Sequence, residues 1–157
     1  MKKAITPALA FLVSLALIAT AQAFTFFGGK DFKSLTPANN ELRIPVKDIN
    51  DGSAHFFKVQ AADGTIVSFF TLKSKDGVIR AAIDACDVCY KAGKGYTQDG
   101  DYMVCDNCGQ RFASNRINEV KGGCNPAPLE RVIEGDNLVI KMADINKNSW
   151  YCKYKPQ

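Results

Sequence analysis

Residues 86–129 read CDVCYKAGKGYTQDGDYMVCDNCGQRFASNRINEVKGGCNPAPL, and the rest of the chain is interpreted outward from this stretch. It contains two Cys-x-x-Cys pairs, Cys86/Cys89 and Cys105/Cys108, which are separated by fifteen residues. Each pair places two thiolates on one tight turn, and two such turns can complete a four-sulfur metal site. The spacing therefore predicts that these four cysteines bind a metal ion or an iron–sulfur cluster.

The N-terminal segment gives these cysteines a second interpretation. Two lysines, an apolar run over residues 8–19 and an Ala-Gln-Ala site predict a secretory signal peptide over residues 1–23. We expect an exported, periplasmic protein with a single domain over residues 24–157. The apolar run is too short to span a bilayer comfortably, so we expect no membrane span in the mature form. In an oxidising compartment, six cysteines also favour disulfides, and two disulfides are the alternative to a metal site.

The remaining sequence predicts an all-β fold, an antiparallel small barrel or sandwich. Short apolar or alternating runs are separated by Asp-Gly turns, a pattern that is typical of hairpins. The predicted strands are residues 42–46, 55–60, 65–73, 78–83, 129–133 and 137–142. Pro45 restricts the first of these strands to a sheet edge or a strand start. A short helix is expected only near residues 144–148.

Composition and motifs argue against several classes of function. Removing the two lysines of the predicted signal peptide lowers the formal net charge from +4 to +2, which is not the balance of a nucleic-acid-binding domain. With one histidine and no paired catalytic carboxylates, the sequence favours an electron carrier or a metal-binding protein over an enzyme. Neither Cys-x-x-Cys pair is followed by histidine, which excludes covalent haem attachment.

The quoted stretch resembles the cluster-binding half of a Rieske domain, in which two loops hold the cluster and a third loop covers it. The second loop corresponds to CDNCGQRF, residues 105–112, and the third to GGCNPAPL, residues 122–129. Both ligand histidines of the Rieske pattern are cysteines here, and the first loop is one residue longer. The resemblance therefore implies a Rieske-like two-loop metal-binding subdomain and excludes a cluster with two histidine ligands.

The phrases DACDVCYKAGKGY, VCDNCGQRF and GGCNPAPL also resemble the FtrD-like family, whose members are described as membrane iron–sulfur-containing proteins. This resemblance covers roughly residues 55–140. It implies an iron–sulfur cofactor, electron transfer in ferrous-iron uptake, and a redox partner or a membrane iron-transport component. Many members are polytopic membrane proteins, whereas this sequence shows no such spans.

The sequence leaves the cofactor open between a [2Fe–2S]-type cluster and a single zinc ion. Four thiolates carry two more negative charges than two cysteines and two histidines, so an all-cysteine cluster is expected near about −400 mV, below the Rieske range. Zinc is the alternative because a Sec-type signal exports an unfolded chain, and zinc needs no assembly machinery. The alternative functions are a structural-zinc module that binds a partner protein and a thiol–disulfide oxidoreductase.

Two cysteines and the single histidine lie outside the two Cys-x-x-Cys pairs. Cys124 lies in the third loop, where it is either an accessory sulfur at the site or half of a disulfide with Cys152. Parity and the oxidising compartment favour the disulfide, which is the arrangement we expect. His55 is the other candidate accessory ligand, although its place before an aromatic strand favours a strand residue hydrogen-bonded to backbone. Asp84 and Asp87 flank the first cysteine and are candidates to orient its loop.

Overall fold

The computed structural model describes residues 30–155, so the predicted signal peptide lies outside the described residues. Within this range the chain forms ten strands, one α-helix and four short 3-10 helices. The strands are β1 (Phe32–Ser34), β2 (Glu41–Pro45), β3 (His55–Gln60), β4 (Ile66–Lys73), β5 (Ile79–Ile83), β6 (Tyr96–Asp99), β7 (Tyr102–Cys105), β8 (Arg111–Ala113), β9 (Val132–Glu134) and β10 (Asn137–Lys141). The helix α1 is Met142–Asn148, and the 3-10 helices are Val46–Asp48, Tyr90–Ala92, Ser114–Arg116 and Ser149–Cys152.

The strands form three open sheets with the orders β1-β3-β4-β5, β2-β10-β9 and β6-β7-β8. Every pair of neighbouring strands is antiparallel except β1 and β3, which run parallel. The predicted antiparallel all-β fold is confirmed. Among the described residues the sheets do not close into a barrel.

The four-stranded sheet is the central layer, because both of its faces are covered. Side chains alternate between the faces of a strand, so Phe69 and Phe70 of β4 point in opposite directions. Phe69 packs in the larger core with residues of the β2-β10-β9 sheet, such as Leu138. Phe70 packs in a second core with Tyr96 and Met103 of the β6-β7-β8 sheet. Burial of each such side chain stabilises the fold by about 1.5–3 kcal/mol, and the second core fixes the small sheet that carries the second cysteine pair.

Several elements differ from the sequence-based expectations. Strands β6, β7 and β8 were not predicted, because YTQD is polar, β7 leads directly into a cysteine turn and β8 has only three residues. The strand expected at residues 129–133 lies at Val132–Glu134 and is exposed, whereas Leu129 is buried in the core. The short helix expected near residues 144–148 is present as α1 and begins two residues earlier. No helix in residues 30–155 is long and apolar enough to cross a membrane.

Candidate metal centre

Three loops at one end of the central sheet carry five of the six cysteines. Cys86 and Cys89 follow β5, Cys105 ends β7, and Cys108 lies in the turn before β8. Cys124 lies in the third loop, which is bound to the first one by backbone hydrogen bonds. The N–H of Ala127 donates to the carbonyl of Ala85 at 2.9 Å, and the N–H of Ile83 donates to the carbonyl of Ala127 at 2.8 Å.

The thiols form two overlapping groups of three, and Cys89 belongs to both. One group is Cys86, Cys89 and Cys124, the other is Cys89, Cys105 and Cys108, and in each all sulfurs lie within 4.8 Å of one another. The structure therefore brings all four predicted ligands into one five-thiol cluster, together with Cys124. The four predicted ligands are divided between the two groups and do not make one mutually close set.

The five-thiol cluster extends from the interior to the surface. Cys86 and Cys105 are buried, with 1% and 2% of their surface exposed. Cys89 and Cys124 are partly buried, and Cys108 is exposed. Any metal held here is consequently shielded from water at its inner end and accessible at its outer end.

Two N–H groups point at sulfurs of the first loop. The backbone N–H of Cys89 lies 3.2 Å from the sulfur of Cys86, and the side-chain amide of Asn107 donates to the sulfur of Cys89 at 3.3 Å. Such hydrogen bonds favour the thiolate form and tune the potential of a bound cluster. Asn107 was missed in the sequence, although its position inside the second Cys-x-x-Cys pair was a signal.

Several thiols of the cluster have shifted pKa values. Burial raises the pKa of Cys105 to about 12 and that of Cys124 to about 11. The backbone N–H of Gln110 lowers the pKa of the exposed Cys108. Since a thiol must lose its proton to bind a metal, the thiols of Cys105 and Cys124 need the charge of a cation to become thiolates at neutral pH.

Asp84, two residues before Cys86, is the anchor of the first loop. Its carboxylate is fully buried and accepts a hydrogen bond from the N–H of Tyr96 at 2.7 Å. Two ammonium groups also reach it, that of Lys155 at 3.0 Å and that of Lys30 at 3.3 Å. Burial raises the pKa of the Asp84 carboxyl, and these two lysines oppose that effect.

The backbone of the neighbouring turn lies directly against this carboxylate. A Cβ on Gly95, whose φ is +76°, would lie 2.2 Å from an Asp84 oxygen, so only glycine fits there. The second aspartate of the loop, Asp87, accepts a hydrogen bond from the hydroxyl of Tyr151. Both aspartates therefore hold the first loop in place, as expected. Lys30 was missed, since nothing in the sequence relates it to a loop more than fifty residues away.

The expected disulfide between Cys124 and Cys152 is not formed, and this expectation is corrected. All six cysteines are free thiols. Cys124 packs against the second core, whereas Cys152 is buried in the larger core, with its sulfur 3.8 Å from the hydroxyl oxygen of Ser68. The two cysteines lie on opposite faces of the central sheet, which separates them.

His55 is not an accessory ligand in this structure, contrary to the alternative considered for it. It belongs to neither group of thiols. His55 is the first residue of β3, and its Nε2 is hydrogen-bonded to the Asp51 carboxylate at 2.8 Å. The hydrogen-bond partner of the ring is therefore a nearby carboxylate, whereas the sequence suggested a backbone partner.

Fold and site together define a mainly antiparallel β protein with a cysteine-rich metal centre. The family model described as "Membrane iron-sulfur containing protein FtrD-like" matches residues 49–151. The chain belongs to this family, which confirms the resemblance seen in the sequence, and it is a metal-binding protein of an iron–sulfur family.

Comparisons with curated proteins and with solved structures say less about this chain than the family does. No curated protein matches the sequence. The crystal structure of the quaternary ammonium Rieske monooxygenase CntA in complex with an inhibitor aligns with a TM-score of 0.43 and 12% sequence identity. This alignment covers 62% of the present chain and 29% of the monooxygenase chain.

Proposed function

We propose that this chain is an exported iron–sulfur protein that transfers electrons in iron acquisition. In this proposal a [2Fe–2S]-type cluster is held by Cys86, Cys89, Cys105 and Cys108. The observation that carries it is the five-thiol cluster, in which two groups of three sulfurs share Cys89. Thiolates are the usual ligands of iron–sulfur clusters, so the donor set fits this cofactor.

The arrangement of the sulfurs favours a two-metal core over one ion. A single tetrahedral ion with metal–sulfur bonds near 2.3 Å needs four sulfurs that are all about 3.8 Å apart. The four predicted ligands are divided between two groups that overlap only at Cys89. At least one pair among the four sulfurs is therefore more than 4.8 Å apart, farther than in the shell of one ion, which supports a cluster over structural zinc. The description of the family also favours iron.

The protein contributes shielding, tuning and access. A bound cluster supplies one-electron transfer. The buried thiols of Cys86 and Cys105 keep water from the inner end of the site, while the exposed Cys108 leaves the outer end within reach of a redox partner. The N–H groups that point at the sulfurs of the first loop stabilise negative charge there. A redox protein or a membrane iron-transport component is the partner that this arrangement suits.

Metal analysis of protein purified without oxygen from the compartment where it matures tests the cofactor. The expected result is iron and acid-labile sulfide in equal amounts, visible absorbance, and an electron paramagnetic resonance signal after reduction. A colourless protein with stoichiometric zinc would establish the structural-zinc alternative. A metal-free protein with disulfides within the cysteine pairs would favour the thiol oxidoreductase.

Export and iron acquisition need separate tests. N-terminal sequencing of the secreted protein should begin at residue 24, as the predicted cleavage site requires. Deleting the gene should slow uptake of ferrous iron, and a copy with alanine at Cys105 should not restore it. Normal uptake in the deletion strain would contradict the proposed role in iron acquisition. The proposed electron transfer would then be tested separately, by the spectra of the purified protein.

A further inference from the structure

The site offers five thiols where a [2Fe–2S]-type cluster takes four. We propose that Cys124 is an alternate ligand that can replace Cys108 at the exposed end of the site. The inference rests on the proposed function. Its basis is that the sulfur of Cys124 lies within 4.8 Å of the sulfurs of both Cys86 and Cys89.

The position of Cys124 is determined by the fold. Its carbonyl accepts a hydrogen bond of 2.5 Å from the hydroxyl of Tyr96, a residue that is 1% exposed. The side-chain amide of Asn125 donates to the carbonyl of Gly122 at 3.0 Å and closes the turn around the cysteine. Further along, a β-bridge joins Pro128 to Ala82 of the central sheet. These contacts hold the thiol against the first loop.

Cys108 is the ligand that such an exchange would release. Cys86 and Cys105 are buried, and Cys89 belongs to both groups of thiols, so none of the three can leave without opening the site. Cys108 is exposed, at the end of a turn that faces solvent. The sulfurs of Cys108 and Cys124 both lie within 4.8 Å of that of Cys89, so the two thiols are neighbours in the site.

The exchange is a ligand substitution with no change of oxidation state. The metal beside Cys105 would exchange its bond to Cys108 for one to Cys89, whose sulfur lies within 4.8 Å of that of Cys105, and the metal beside Cys86 would exchange its bond to Cys89 for one to Cys124. The Cys124 thiol gives up its proton as it binds, and the released Cys108 thiolate takes up a proton from solvent. Both forms of the site have four thiolate ligands.

The test compares alanine variants, since serine can itself bind iron. Cys108→Ala, Cys124→Ala and the double variant are reconstituted without oxygen with iron and sulfide, and bound iron, sulfide and visible spectra are measured. Each single variant should keep most of the wild-type iron and a four-thiolate spectrum. The double variant should bind iron at least about tenfold more weakly, since losing even a group that only orients a ligand costs a metal site about tenfold or more in affinity. Cys105→Ala should resemble the double variant, and Cys152→Ala should resemble the wild type.

Two results would overturn the inference. Loss of the cluster in Cys108→Ala alone would show that Cys124 cannot take its place. Retention of the cluster in the double variant would show that neither thiol is needed. If the wild-type protein takes up no iron, the proposed function fails, and the same variants are then titrated with Cd²⁺, whose thiolate absorbance reports the number of sulfurs bound.

A measurement on the wild-type protein covers the case in which a variant does not fold. The loaded protein is alkylated briefly, and its peptides are analysed by mass spectrometry. The inference predicts one reactive thiol within the five-thiol cluster, with the label divided between Cys108 and Cys124. Label at Cys124 alone would overturn the exchange, since it would mean that Cys108 never leaves the metal.

Discussion

The ammonium group of Lys30 lies 3.3 Å from the carboxylate of Asp84 and 3.0 Å from that of Asp106, so one side chain bridges the two cysteine loops. Asp84 comes two residues before Cys86, and Asp106 directly follows Cys105. These are the two buried cysteines of the site. The relative position of the inner thiols therefore depends on an ion pair with a lysine far away in the sequence.

We predict that Asp84→Asn destabilises the protein by about 3 kcal/mol, the lower end for breaking a buried ion pair. The side chain of Asp84 is 0% exposed, and those of Lys30 and Lys155 are 14% and 9% exposed, so solvent cannot replace the lost charge. Urea unfolding measures the change. The control is Asp101→Asn, which removes an exposed partner of Lys75 and should change the stability little, because solvent screens such a pair. Equal effects of the two substitutions would contradict the anchoring role.

Replacing Cys105 and replacing Cys152 should separate metal binding from packing. Cys105→Ala should lose the metal and, with it, the stability that comes from joining the loops. Cys152→Ala should keep the metal, since its sulfur lies in the larger core beside Ser68, and should cost about 1 kcal/mol for the small cavity. Metal analysis and thermal unfolding distinguish the two effects. A metal-free Cys152→Ala protein would show that the ligand assignment is wrong.

Acid stability should depend on Asp76. Hydrogen bonds from the Ser74 hydroxyl and the Arg80 guanidinium lower the pKa of this carboxyl to about 2. Because the folded-state pKa lies below the unfolded one, the ionised carboxylate stabilises the fold above about pH 4, and this contribution is lost as the pH falls toward about 2. The wild type should therefore be more stable than Asp76→Asn at pH 5.

The difference between these two proteins should shrink steadily as the pH is lowered to about 2. Metal-free protein is used for both, since acid also releases metal from thiolates. Unfolding midpoints in urea at several pH values measure the difference, and the other titrating groups cancel because both proteins contain them. A difference that stays constant with pH would contradict the shift in pKa.

The parts of the structure that were predictable from sequence are those with local patterns. The turn chemistry and apolar runs around β4 identify the antiparallel sheet, and the repeated Cys-x-x-Cys spacing identifies the site. Long-range relations were not predictable. The place of Cys124 depends on which face of the central sheet its loop covers, and parity together with the expected oxidising compartment pointed to the wrong partner. The bridge from Lys30 to Asp84 joins a polar N-terminal stretch to a loop, and no periodicity marks such a pair.

One buried group, on the same face of β4 as Phe69, is unsatisfied, and its removal should stabilise the protein. In the described part of the chain, the hydroxyl oxygen of Thr71 is the buried side-chain polar atom without a hydrogen-bond partner. A buried hydroxyl without a partner costs about 1–3 kcal/mol, so Thr71→Val, which keeps the shape, should raise the free energy of unfolding by about 1 kcal/mol. The matched control is Thr71→Ser, which keeps the hydroxyl, removes a methyl group and should destabilise. Urea unfolding measures both, and a destabilised Thr71→Val protein would mean that the hydroxyl has a partner in solution.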